Sequence, residues 1–115
     1  MSPMMKFDSV KVRRQFGQAV NMTASELIDW LETPESRAVG FKREGSDESV
    51  GHASGRRIVS ILGKAAHELT DDDIAHMRKV VGYVHRHRAQ RPENIYTSRW
   101  RYSLMNWGHD PTKEA

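Results

Sequence analysis

Cysteine is absent from this chain of 115 residues. Disulfides and thiol chemistry are excluded, and the omission fits a reducing, cytoplasmic setting, at the nucleoid if the cell is bacterial. Long apolar runs are also missing. None approaches the ~18 residues needed to cross a bilayer, and the opening MSPMMKFDSV lacks the apolar segment of a secretory signal. With 37% hydrophobic and 29% charged residues, the core must be modest. No stretch alternates apolar and polar residues as a strand would, and no repeat or heptad array is visible.

What is present is helical. Thr70 to Arg91, TDDDIAHMRKVVGYVHRHRAQR, carries the clearest pattern. Thr70 caps by accepting a backbone N–H three residues on, and Asp71, Asp72 and Asp73 sit at the positive end of the helix dipole. Ile74, Met77, Val81, Val84 and Arg88 recur at helical spacing with Val80 beside them, and Pro92 closes the segment. The spacing predicts a central helix over about 71–90.

The rest arranges around it. Asp8 is expected to cap a helix with Val12, Phe16, Ala19 and Val20 on one side. Thr23 and Glu26 form a capping box opening a helix with Leu27, Ile28, Trp30 and Leu31. Thr33-Pro34 ends it and starts another turn. Gly40 to Gly55, rich in Gly, Ser and charge, reads as a loop of low order, flexible over about 40–53. Ser54 is expected to cap a helix from Arg56 to Lys64, and Thr97 or Ser98 a last one from Arg99 to Asn106, with Gly108 as its stop. Residues 1–9 and 109–115 read as flexible ends. The expectation is one all-α domain, residues 10–108, of four to five helices.

Charge is uneven. From His76 to Arg101 there are seven Lys or Arg against one acid, Glu93; the remaining 11 basic residues face 14 acidic ones. A polyanion partner follows from that local excess. Arginine dominates, and its guanidinium matches phosphate with two parallel hydrogen bonds. Arg56 and Arg57, placed in the first turn of their helix, sit where the dipole disfavours cations unless an anion binds there. Other chemistries find less support. His85 and His87 lie on different helix faces, and Asp72 with His76 lacks a third ligand, so no metal site is expected. Ser54 beside His52 has no strand–turn–helix elbow around it, and no catalytic residue or cofactor is assigned.

Several strings, MTASELIDWLETPESRAVG, SVGHASGRRIVSIL, LTDDDIAHMRKVVGYVHRHRAQRP and RWRYSLMNWGHDP, together resemble a family of small proteins classed only as a domain of unknown function, number 3140. Its members are often labelled DNA-binding, so the resemblance implies that role. Position 88 tends to be apolar in that family, which removes Arg88 from the candidate contacts. Thr23-x-x-Glu26-Leu27-x-x-Trp30-Leu31 followed by Ser54-Gly55-Arg56-Arg57-x-x-x-x-Ile61-Leu62 is also similar to the two-helix SAP motif, although the segment between the helices is longer here. That similarity implies that Arg56 and Arg57 face phosphate. The expected function is binding of DNA, double-stranded in preference, through its phosphate backbone with little sequence specificity. The candidate contacts are Arg56, Arg57, Arg78, Lys79, Arg86, Arg91, Arg99 and Arg101. The alternative is an interaction module or homo-oligomer using the Trp-rich C-terminal segment.

Overall fold

Helix signals in the sequence correspond to six α-helices in a computed structural model that describes residues 9–113. These are α1 (Ser9–Ala19), α2 (Ala24–Leu31), α3 (Pro34–Ala38), α4 (Val50–Leu62), α5 (Asp71–Arg88) and α6 (Arg99–Asn106), with 3-10 turns at Ala66–Glu68 and Pro111–Lys113. The chain is all-α, and no strand occurs among the described residues beyond an isolated bridge between Lys42 and Ser49. Six helices replace the expected four to five because the Thr33-Pro34 turn forms a short helix of its own.

Local chemistry explains most of the boundaries. Thr23 and Glu26 complete a capping box on α2, and Thr70 and Asp73 complete another on α5. Thr33 caps α3 with Pro34 at its first position. Ser98 caps α6. The expected α1 cap, Asp8, lies outside the described residues. Ile74, Met77, Val80 and Val84 form the buried stripe of α5, packed along α1. Leu27, Ile58 and Leu104, fully buried, join the layers; each contributes about 1.5–3 kcal/mol of transfer free energy. The long helix is not the only hub. Eight-residue α6 touches α2, α3, α4 and α5.

Two expectations are corrected. Residues 50–55 are not loop: α4 starts at Val50, capped by Ser49 and not by Ser54. The segment before it closes on itself, with Val50 N donating to Phe41 O at 2.8 Å and a turn from Arg43 to Ser46. Glycine misled the reading because its role here is packing. A Cβ on Gly51 would lie 2.9 Å from Nε1 of Trp107, and one on Gly55 would lie 2.6 Å from the Asn106 carbonyl oxygen. Both residues let α4 approach the end of α6 more closely than any side chain permits. Residues 109–111, read as the start of a loose tail, are buried. Asn21 and Asp110 exchange hydrogen bonds of 3.0 and 2.7 Å, and the His109 ring donates to Ala19 O.

A buried amide locks the centre. Asn106 accepts from Trp30 Nε1 at 2.8 Å and from the Ser36 hydroxyl, and donates to Ser36 O at 3.0 Å. These bonds reach helices α2 and α3, and both polar atoms of the buried amide have partners.

The glycine contact makes opposite predictions for two helix positions. Gly55→Ala is expected to cost about 1–3 kcal/mol by overpacking. Gly17→Ala, where nothing lies within 4 Å, is expected to gain about 0.4–1 kcal/mol. Urea denaturation of both variants checks this; equal effects contradict the packing account.

Candidate nucleic-acid interface

The eight basic residues singled out in the sequence differ in the partners they meet. Arg56 is engaged by Glu48 in a two-pronged ion pair, Nε to Oε2 at 2.8 Å and a terminal nitrogen to Oε1 at 2.6 Å. Arg101 grips Asp110 with two bonds of 3.2 Å and also donates to Tyr96 O. Arg91 lies over the Trp100 ring, 5.9 Å from its centre, and Arg99 reaches Ala38 O at 3.4 Å. These four are committed to the fold. Arg56 and Arg57 also lie well past the first turn of α4, so the dipole mismatch that drew attention to them does not exist. The start of α4 at Val50 likewise takes both arginines away from the helix start that the SAP-like reading requires.

Two of the eight do converge. Arg57 on α4 and Lys79 on α5 line a cleft of about 310 Å³, with Arg43 from the preceding loop on its rim. Ser54 and His76 sit inside it, hydroxyl to Nε2 at 2.8 Å. Burial pushes the His76 imidazole down from 6.5, and Arg57 and Lys79 push it further, so the ring is neutral at neutral pH. Arg86 lies two turns beyond Lys79, roughly 20° away around α5, its guanidinium drawn back over Gly82. Arg78 projects about 100° from Lys79.

Acids decide what charge remains. Glu48 is the one carboxylate lining this cleft, and Arg56 holds it down to about 2, with help from His52 Nδ1. His52 Nε2 also bonds Leu31 O at 2.8 Å, tying the pair to α2. Asp73 touches Arg57 at 3.3 Å, but Lys64 is nearer at 2.6 Å. Lys64 and the Thr70 backbone N–H hold the Asp73 carboxyl well below the usual range. With two cations sharing one carboxylate, Arg57, Lys79 and Arg43 leave the cleft positive.

Two of its lining rings, His76 and Trp107, begin a longer aromatic stack. His76, Trp107, Tyr83, His87 and Trp100 stack successively along the α5–α6 seam, with ring centres 4.3 to 6.3 Å apart. Burial raises the Tyr83 hydroxyl and lowers the His87 ring. Trp107 is buried, and Trp100 spends its indole N–H on His87 O at 2.6 Å. The C-terminal tryptophans are therefore packed, not presented. No group of three His, Asp or Glu able to hold a metal ion occurs among the described residues.

Arg43 is not among the residues that charge density singles out, because the loop-like composition of its segment masks the Lys42-Arg43 basic pair. Ser54 and His76 are 22 residues apart, and no spacing rule joins them.

A family model described as "Protein of unknown function (DUF3140)" matches residues 15–105. The chain belongs to this family. Every lining residue of the cleft except Trp107 falls inside the matched span. No curated protein and no solved structure matches the chain.

The Glu48 pairing predicts an acid-sensitive fold. A carboxyl depressed from 4.5 to about 2 stabilises above its ordinary value and loses that contribution as pH falls between the two. Glu48→Gln is expected to flatten part of this acid limb, Asp73 and Asp110 retaining the rest. Thermal unfolding across that pH range reads it; an unchanged limb in the variant contradicts the assignment.

Proposed function

We propose that this domain binds nucleic acid through phosphate groups, with little sequence preference, at the cleft between α4 and α5. One observation carries the reading. Arg43, Arg57 and Lys79 come from three separate segments to one concavity whose single lining carboxylate, Glu48, is already held by Arg56 and His52. Guanidinium and ammonium groups gathered without a free counter-charge favour a multiply charged anion. Arg86, on the same side of α5, extends the positive field along the helix. Arg78 lies further round and contributes at longer range.

The contacts differ from those that charge counting suggests. Arg57, Lys79 and Arg43 meet phosphate directly. Arg91, Arg99 and Arg101 hold the α5–α6 end together, and Arg56 anchors Glu48. Phosphate contacts carry no sequence information of their own, which is why sequence preference is weak.

Three phosphate contacts give a log Kd against log salt slope of about 2–3 in magnitude, by counterion release. Lys79→Gln is expected to lower that slope by about 1 and weaken all sequences alike. Fluorescence anisotropy with labelled oligonucleotides at a series of salt concentrations measures both. Absence of binding at about 50 mM salt, or affinity indifferent to salt, removes the proposal.

A further inference from the structure

A second cleft, of about 360 Å³, adjoins the first and shares Arg43, Val50 and Trp107 with it. Its chemistry is different. Phe41, Val50 and Tyr83 line it together with the buried Trp107, and Ser103 of α6 contributes to the lining. Phe41 is 73% exposed, the most exposed of the large apolar side chains described. The residue is held at that rim by the hydrogen bond from Val50 N to its carbonyl, so the ring is presented by an ordered backbone. Each cleft lies at the low end of the roughly 300–1,000 Å³ typical of small-ligand sites.

A basic, hydroxyl-bearing cleft joined to an apolar, aromatic one matches a ligand that has a phosphate at one end and a planar ring at the other. We propose that the joined clefts hold one unpaired nucleotide, its phosphate among Arg43, Arg57 and Lys79 and its base against Phe41 and Val50 above Tyr83. This rests on the phosphate-binding reading and sharpens it. A duplex keeps its bases paired and stacked and offers only its backbone, leaving the apolar cleft empty. A single strand can turn a base out onto an aromatic face, and every base has such a face, so sequence tolerance is retained. A strand segment and a free mononucleotide carry the same chemistry, and the test separates them.

The experiment uses the full chain with a labelled single-stranded oligonucleotide, the same sequence as a duplex, and an unlabelled nucleoside 5′-monophosphate as competitor. Wild type, Phe41→Ala and Lys79→Gln are compared at one salt concentration. Phe41 is largely outside the core, so its truncation leaves the fold intact; circular dichroism verifies this. The single strand is expected to bind about 10-fold or more tighter than the duplex. Phe41→Ala is expected to weaken the single strand roughly 5- to 100-fold, the range of losses on removing one stacking side chain, and to leave the duplex unchanged. Lys79→Gln weakens both. Equal affinity for the two forms, with Phe41→Ala silent and Lys79→Gln still effective, overturns the nucleotide clefts and spares the phosphate reading. A monophosphate that binds with Phe41 and Lys79 dependence while neither oligonucleotide binds supports the clefts and overturns the nucleic-acid reading. No binding of any of the three at low salt overturns both.

Discussion

The close approach of α4 to the end of α6 sets the position of everything in the cleft. Gly51 and Gly55 face Trp107 and Asn106 at distances that leave no room for a methyl group. Helix interiors normally disfavour glycine by about 1 kcal/mol relative to alanine. Here that cost is offset by a contact that brings α4 down onto the aromatic seam. The consequence is geometric. With α4 seated, Ser54 reaches His76, and Arg57 comes alongside Lys79 and Asp73 on α5. The Asn106 amide, bonded to Trp30 and Ser36, fixes the same junction from the other side.

Electrostatics then selects among many cations. Arginines are abundant, yet several have structural work. Glu48, Asp110 and the Trp100 ring each hold one, and each partner lies beyond the helix that carries its arginine or in a neighbouring segment, past the reach of helical spacing rules. The cluster around Arg57 differs because Asp73 is shared between two cations and satisfied mainly by Lys64. A buried carboxylate that binds a lysine, an arginine and its own helix-capping N–H cannot also neutralise Lys79 or Arg43. Positive charge is thus left where the surface is concave, and a concave site excludes more water than a flat one, which strengthens each contact.

Much of the helical layout was legible because it depends on short-range chemistry. Thr23 with Glu26, Thr70 with Asp73, Thr33 with Pro34, and Gly108 at φ +85° are signals contained within four residues. The α5 stripe was legible for the same reason, since one helix face repeats every three or four residues. The start of α4 was not. Its glycines and serines match loop composition, and only distant partners explain them: Trp107 opposite Gly51, the Asn106 carbonyl opposite Gly55 and His76 beside Ser54. Residues 109–111 misled in the same way, being polar but bound to Asn21 and Ala19 near the other end of the chain. For the candidate interface, the local excess of arginine and lysine was visible in the sequence, and two of the residues it singles out, Arg57 and Lys79, line the α4–α5 cleft. It could not tell which arginines already had partners, because ion pairs such as Arg56 with Glu48 depend on how the loop before α4 folds back.

Amide chemical-shift mapping of the full chain, titrated with a short single-stranded oligonucleotide at low salt, tests the central claim most directly. The account predicts that the largest shifts cluster at Phe41, Arg43, Ser54, Arg57, His76 and Lys79, while Arg91, Arg99 and Arg101 stay near their free positions. Shifts centred on residues 91–101 or on α1, with the α4–α5 cleft unmoved, contradict it.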